Sequence, residues 1–102
     1  MRIPQGRCPT HPGEYIKEDI LEGLNLTQQG LADRLFVSRR TVNQIVNQKR
    51  SITPEMAMRL GFLTATSPEM WINLQTAFDM WNARQGIEKT NIVKIKPFLV
   101  EA

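Results

Sequence analysis

The sequence predicts an all-α domain of five helices, followed by a short extended tail. Two helix starts, Thr53-Pro54-Glu55 and Ser67-Pro68-Glu69, place a hydroxyl side chain directly before a proline. The hydroxyl accepts a hydrogen bond from a free N–H group of the first turn, and proline lacks an N–H that would stay unpaired there. Apolar side chains then recur every three or four residues, which is the spacing of one buried helix face.

The first two helices are predicted from Pro12 and Thr27. Pro12 suits the first turn of a helix over about 12–23, and Thr27 is a favourable N-cap for a short second helix. The residues expected to face the core from these two helices are Ile16, Ile20, Leu21, Leu24, Leu31, Ala32 and Leu35.

The same signals predict three further helices. Ser38 caps a helix over about 39–48, and the two cap-and-proline starts begin helices over about 54–63 and 68–84. The residues expected to be buried are Val42, Ile45 and Val46 in the third helix, and Met70, Trp71, Leu74, Phe78 and Trp81 in the fifth.

A second, weaker apolar stripe follows the fifth helix on the side expected to face solvent. It consists of Ile72, Thr76 and Met80 at offsets of four. Exposed apolar side chains on a long helix indicate a partner surface, although isolated ones are common on any protein. Ile72 and Met80 are therefore candidates for a contact between two copies.

The chain is divided into an arm over 1–10, a helical domain over 11–85 and a tail over 86–102. In the tail, Val93 and Ile95 alternate with lysines, which predicts a short edge strand. A frayed terminus is the alternative. Because the rest of the chain has no strand to pair with, a strand here would contact another copy, so Val93 and Ile95 are also candidate dimer residues.

Length and composition limit the possible classes of protein. The 102 residues are enough for one domain, and 41% hydrophobic with 23% charged residues is ordinary for a folded chain. The single cysteine, Cys8, cannot form an internal disulfide. No signal-peptide pattern and no membrane-spanning apolar run is present, so we expect a cytoplasmic protein without a membrane partner.

Charge is unevenly distributed along the chain. Residues 34–59 hold six basic residues and one acid, whereas residues 14–22 hold four acids and one lysine. A locally positive segment is typical of proteins that contact phosphates. A solvated helix face is the alternative, and charge alone does not decide between them.

The second and third predicted helices are separated by only three residues, 36–38. Short helices joined in this way are typical of a helix-turn-helix, in which the second helix enters the major groove of DNA. The residues left facing outward there can bond base edges, since arginine pairs with guanine and asparagine or glutamine with adenine. These candidates are Arg39, Arg40, Thr41, Asn43, Gln44, Asn47 and Gln48.

Other positions around this motif suit the DNA backbone. Gln28 begins the preceding helix, and Lys49 and Arg50 follow the recognition helix, so all three are expected near phosphates. The alternative is a pair of amphipathic helices that touch no nucleic acid. RNA binding is less favoured, because no aromatic residue is interleaved with the basic ones.

No enzyme motif occurs in the sequence, and no cofactor or metal site is predicted. His11 is the only histidine and has no nearby ligand at metal spacing, so we expect it to pack or to cap the first helix. The prediction is a non-enzymatic binding protein.

The segment TQQGLADRLFVSRRTVNQIVNQKR resembles the helix-turn-helix of lambda-repressor-like (XRE) regulators. HPGEYIKEDILEGLNLTQQGLA and ITPEMAMRLGFLTATSPEMWINLQTAFDM resemble HigA-type antitoxins, including those named plasmid-maintenance antidote or virulence-associated protein I. The resemblance spans about 11–84. It implies a dimeric repressor of its own operon that also neutralises a HigB-type toxin, an mRNA-cleaving ribonuclease. It places DNA contacts on Gln28, Ser38, Arg39, Arg40, Thr41, Asn43 and Gln44.

Two residues depart from the family's pattern. Phe36 occupies the turn position usually held by glycine, so we expect the turn to relax to another conformation. Gly61 stands where a helix former is more usual, at a cost of roughly 0.5–1 kcal/mol. Two other functions stay open, a stand-alone XRE-family repressor without a toxin and a helical interaction module that does not bind DNA.

Overall fold

The computed structural model describes residues 7–98, so parts of the predicted arm (1–6) and tail (99–102) lie outside the described residues. The first helix, α1, starts as an α-helix over Pro12–Tyr15 and continues as a π-helix over Ile16–Glu22. The other four helices are α2 (Gln28–Leu35), α3 (Arg39–Val46), α4 (Pro54–Thr64) and α5 (Pro68–Gln85). The five-helix prediction is confirmed.

The predicted caps begin the helices. The hydroxyl oxygens of Thr27, Ser38 and Thr53 accept from the backbone N–H three residues later at 2.9, 3.1 and 3.2 Å. Ser67 accepts from the N–H of Glu69 at 3.1 Å. Each cap satisfies a donor that a helix N-terminus otherwise leaves unpaired.

α1 was not predicted to be a π-helix. The N–H of Gly23 bonds the carbonyl oxygen of Glu18 at 2.9 Å, five residues back rather than four. Ile16 and Ile20 are buried as predicted, but Leu24 is 63% exposed. The prediction that Leu24 faces the core is wrong because the helix ends at Glu22, and Leu24 lies in the turn that follows.

One core cluster joins all five helices, and its buried apolar members are Ile16, Ile20, Leu31, Ala32, Leu35, Val42, Ile45, Ile52, Met56, Ala57, Leu60 and Trp71. Phe78 and Trp81 are only partly buried, and Met70 is 39% exposed, which corrects the prediction that it is in the core. Ile72 is half-buried against the cluster and is not an exposed residue. α5 rotates Met70 outward and Ile72 inward relative to our prediction.

Gly61 lies where α4 passes close to the start of α5. A Cβ atom there would stand 2.9 Å from the carbonyl oxygen of Thr66 and 3.1 Å from the nitrogen of Pro68. Such distances are too short for ordinary packing. The glycine therefore permits a close approach of the two helices that offsets its lower helix propensity.

Two buried polar side chains join the helices to each other. His11 accepts from the N–H of Gly13 through Nδ1 at 2.9 Å, and its ring meets that of Phe78 edge-on at 4.8 Å between centroids. This confirms the prediction that His11 packs and caps. Gln75, which the sequence analysis did not single out, accepts from the N–H of Ile52 at 2.8 Å and donates to Asp79 at 3.0 Å.

The tail contains two short 3₁₀ turns, Ile87–Lys89 and Asn91–Lys94, before extended backbone begins at Ile95. The predicted strand at Val93–Ile95 is therefore not formed in the described chain. A strand needs the backbone of a partner strand for its hydrogen bonds. Here the backbone bonds locally instead, as in the 3₁₀ bond from the N–H of Ile95 to the carbonyl oxygen of Ile92 at 3.0 Å. None of the helices between residues 7 and 98 has the length and apolar character needed to cross a bilayer.

Candidate nucleic-acid interface

α2 and α3 form a compact helix-turn-helix. Their facing side chains are almost fully buried, and they are Leu31, Ala32, Leu35, Val42 and Ile45. Behind α3, a Cβ atom at Gly13 would overlap the carbonyl oxygen of Ile45, so α1 lies against the back of α3. α3 is thus held in position by α2 and by α1, and neither helix covers its outer face.

The turn between α2 and α3 is built around Phe36 in the left-handed conformation, with φ 57° and ψ 43°. This corrects the expectation that the turn avoids positive φ. The N–H groups of Phe36 and Val37 bond the carbonyl oxygens of Asp33 and Ala32 at 3.3 and 3.0 Å, which closes the end of α2. The Phe36 side chain is 86% exposed.

Arg59 of α4 stabilises the same turn. Its Nη1 donates to the carbonyl oxygen of Leu35 at 2.8 Å, and that of Phe36 lies 3.5 Å away. Its Nη2 pairs with Glu55 at 2.7 Å. Arg59 belongs to the positively charged segment of the sequence, but its guanidinium holds the end of α2. The two residues are too far apart in the chain for a local pattern to indicate this contact.

The outer face of α3 presents the predicted base-contacting residues together. Arg39, Arg40 and Asn43 are exposed, while Thr41 and Gln44 are partly buried. α3 ends at Val46, two residues earlier than predicted, because Gln48 adopts φ 60°. Asn47 and Gln48, which were predicted to face outward from the recognition helix, therefore lie in the turn after it.

Asn43 is linked to α2 through Gln28. The Nδ2 of Asn43 donates to the Oε1 of Gln28 at 3.1 Å. This bond fixes the orientation of both side-chain amides, and it engages the Nδ2 of Asn43 but not its Oδ1. Gln28, predicted near phosphates, thus lies beside a residue predicted to contact bases.

A second hydrogen-bonded chain crosses the start of α3. The hydroxyls of Ser38 and Thr41 lie 2.9 Å apart, and the Nη1 of Arg50 donates to the hydroxyl of Thr41 at 2.8 Å. Arg50 is thereby held over the recognition helix, whereas Lys49 is exposed beyond its end. The structure brings Gln28, Ser38, Arg39, Arg40, Thr41, Asn43, Gln44 and Arg50 to one surface.

The four residues predicted to contact a second copy differ in exposure. Met80, Val93 and Ile95 are 45%, 57% and 71% exposed. Ile72 contributes to the core. Four more apolar residues, not singled out from the sequence, are exposed: Met58, Phe62, Ile92 and Phe98. Met58 and Phe62 stand four apart on α4, a spacing that a helical plot would show.

Acidic, histidine and cysteine side chains form no group of three or more that could hold a metal in the part of the chain that the structure describes. His11 already accepts a hydrogen bond, and Cys8 is a free, exposed thiol.

This fold and this surface define a helix-turn-helix DNA-binding protein. The helix-turn-helix family HTH_3 matches residues 17–61. The chain belongs to the HigA-type antitoxins of the XRE, lambda-repressor-like helix-turn-helix family. The resemblance stated from the sequence is confirmed, and so is the prediction that the chain is not an enzyme, because this family consists of transcriptional regulators and antitoxins.

Three relatives illustrate the similarity. Virulence-associated protein I of Dichelobacter nodosus is 38% identical, over 91% of this chain and 89% of its own. The Pseudomonas aeruginosa antitoxin HigA, solved with the higBA promoter, is 37% identical with a TM-score of 0.80, over 89% of this chain and 99% of its own. The antitoxin GraA, solved with its operator, is 33% identical with a TM-score of 0.82, and the match covers 97% of this chain and 100% of GraA.

Proposed function

We propose that this chain is a dimeric, cytoplasmic repressor that binds the operator of its own operon through α3 and also binds and neutralises an mRNA-cleaving toxin. The observation that carries the DNA-binding part is the outer face of α3. Arg39, Arg40 and Asn43 are exposed there, and no acidic residue occurs between Leu35 and Pro54. Phosphates and base edges are the partners that suit such a surface.

The residues divide into two roles. Arg39, Arg40, Thr41, Asn43 and Gln44 contact base edges from the face of α3. The remaining residues contact the phosphate backbone and fix the position of α3 in the groove, and they are Gln28, Ser38, Lys49 and Arg50. The relatives that were solved with promoter or operator DNA support DNA binding as a function of this chain.

Dimerisation follows from the small footprint of one recognition helix. A two-fold pair places two such helices about 34 Å apart on one face of the DNA, which multiplies the contacts. The operator is then a palindrome. The exposed Met80, Val93 and Ile95 are the candidate contacts between the subunits.

The test of DNA binding is a titration of the protein with the DNA upstream of its own reading frame and with a scrambled duplex of the same composition. We expect tighter binding to the upstream DNA and a steep fall of affinity with salt, because bound phosphates release counterions. Equal affinity for both duplexes at every salt concentration would contradict the proposal and favour a protein-interaction module.

The toxin is assigned to the acidic face of α1, and the support is the name antitoxin carried by the similar proteins together with charge. Glu14, Glu18 and Glu22 are exposed, whereas a ribonuclease that holds RNA is expected to be basic. Opposite charges steer the encounter of two proteins. Placing the toxin on α1 keeps it off the cationic face of α3, so both partners can bind one chain.

The test is co-purification with the product of the adjacent reading frame. The variant with Glu18→Lys and Glu22→Lys should lose that protein and keep operator binding, and Glu88→Lys is the control for an exposed acid outside α1. Capture that is unchanged in the α1 variant would place the toxin elsewhere. An adjacent product that neither binds nor stops growth would instead favour the stand-alone repressor.

A further inference from the structure

A deep apolar groove opens between α1, the end of α4 and the first two turns of α5, with a volume of about 1240 Å³. Its apolar lining includes Ile20, Leu24, Leu63, Met70, Trp71 and Leu74. None of the nine residues proposed to contact DNA lines it. The groove is therefore separate from the proposed DNA-binding surface.

The rim of the groove carries two acids, Asp19 and Glu69, and one base, Arg34. Glu69 accepts from the hydroxyl of Ser67 at 2.5 Å. This hydrogen bond, with one to the backbone, lowers the pKa of Glu69, so its carboxylate stays charged. The surroundings of the groove favour a cationic, apolar occupant.

The tail of this chain has that chemistry. Ile92, Val93, Ile95 and Phe98 are 53%, 57%, 71% and 99% exposed. Between residues 86 and 98 there are three lysines and one acid, Glu88. A run of exposed apolar side chains is unfavourable in water and marks a contact surface.

The exposed face of α5 shows how a second copy would bring its tail to the groove. Asn73, Thr76, Met80 and Ala83 form an uncharged, exposed stripe along the helix. Glu69 lies at one end of this stripe and Arg84 at the other. An antiparallel pair of α5 helices crossing at the helix centre sets Glu69 opposite Arg84 of the partner subunit, twice by symmetry.

In that arrangement the end of the partner's α5 lies beside the start of this α5, where the groove opens. The chain's own tail leaves α5 at the opposite end, about 27 Å from the groove for an 18-residue helix. The tail of the second copy is therefore the nearer occupant.

We propose that residues 87–98 of one subunit occupy the groove of the other, with Ile95 and Phe98 against its apolar lining and the lysines beside Asp19 and Glu69. This inference rests on the dimer stated under the proposed function. Each tail then binds the other subunit, and the apolar residues of both tails and both grooves are buried together.

Cysteine cross-linking tests the arrangement in the full chain. In a Cys8→Ser background, Leu24→Cys marks the groove and Ile95→Cys marks the tail; both sites are exposed. Equal amounts of the two variants, mixed and oxidised, should give a disulfide-linked dimer that neither forms alone. Met58→Cys, exposed on α4 and outside the groove lining, replaces Leu24→Cys as the control.

The chain with both Leu24→Cys and Ile95→Cys should also link between subunits. A disulfide closed within one chain would overturn the inference, since the tail would then fill its own groove. Sedimentation separates the two proposals. A dimer without the cross-link overturns only the groove assignment, whereas a monomer overturns the dimer as well.

A second measurement does not depend on cysteine geometry. Ile95→Asp and Met70→Glu should each raise the dimer dissociation constant about tenfold or more by placing a charge in an apolar contact, while Met58→Glu should leave it unchanged. Equal dissociation constants for all three variants would contradict the proposal.

Discussion

Arg59 Nη1 donates a 2.8 Å hydrogen bond to the carbonyl oxygen of Leu35, the last residue of α2. The residues are 24 positions apart, and the bond ties α4 to the turn that orients the recognition helix. A planar guanidinium with several N–H donors is well suited to this task, because it can bond a carbonyl oxygen and a carboxylate at once.

Replacement of Arg59 by alanine should therefore lower both stability and DNA binding. We expect a loss of about 1–3 kcal/mol in the free energy of unfolding, because the Leu35 carbonyl loses its charged donor. Urea denaturation measures the loss. Glu55→Gln is the control, since the Arg59–Glu55 ion pair is exposed on its acidic side and contributes little. An equal loss of unfolding free energy in both variants would mean that the Arg59–Glu55 ion pair, and not the bond to Leu35, stabilises the protein.

Phe36→Gly should stabilise the protein. The Phe36 side chain is largely exposed while its backbone is left-handed, and this conformation costs an L-residue roughly 1 kcal/mol. Thermal unfolding should show a gain of up to that size, reduced by the greater freedom of glycine in the unfolded chain. Phe36→Ala keeps the strain, and an equal gain there would refute the argument.

Gly61→Ala and Gly86→Ala should have opposite effects. A Cβ atom at Gly61 collides with the backbone at Thr66 and Pro68, whereas nothing lies within 4 Å of one at Gly86. We expect Gly61→Ala to cost about 1–3 kcal/mol through overpacking. Gly86→Ala should be neutral or slightly stabilising in the same denaturation experiment. A neutral Gly61→Ala would mean that α4 and α5 can separate freely.

Stability should fall as the pH is lowered through the range of histidine titration. Burial lowers the pKa of His11 below 6.5, although Asp79 and Glu14 act in the opposite direction. The unfolded chain therefore binds a proton before the folded chain does. The loss should begin near pH 6.5 and continue until the pH falls below the lowered pKa of the folded state.

Denaturation at pH 7.5 and 5.5 measures this effect. In His11→Asn, which keeps a side chain able to cap Gly13, the part of the pH dependence due to histidine should disappear. An unchanged pH dependence in that variant would assign the effect to carboxylates.

Arg40→Ala and Asn43→Ala should reduce discrimination between operator and scrambled DNA by about 1–3 kcal/mol each. Lys49→Ala should weaken both duplexes alike and reduce the salt dependence, because it contacts only phosphate. Titrations at two salt concentrations distinguish these results. If only Lys49→Ala lost the discrimination between operator and scrambled DNA, Lys49 would be the base-contacting residue, and Arg40 and Asn43 would not.

The bond between Gln28 and Asn43 predicts that these residues act as a unit. A double-mutant cycle of Gln28→Ala and Asn43→Ala should show non-additive losses of operator affinity. Additive losses would mean that the 3.1 Å bond does not persist on DNA.

The sequence by itself determined the helices and which side of α3 faces away from the core. Caps such as Ser38, prolines such as Pro68 and the apolar spacing act over one or two turns, so local pattern is enough to predict them. The outward set on α3 followed from the same spacing, because residues not needed by the core must face away from it. Arg39, Arg40 and Asn43 are exposed in the structure, as that spacing indicates.

Only the tertiary structure decided which contacts join distant segments. It places the guanidinium of Arg59 at the end of α2 and brings Gly61 too close to Pro68 for a side chain. It also half-buries Ile72 and leaves Leu24 exposed in the lining of a groove. It also placed Phe36 in the left-handed conformation. These outcomes depend on how helices lie against one another, and the distances between residues far apart in the chain are set by the packing of the whole core rather than by any local run of residues.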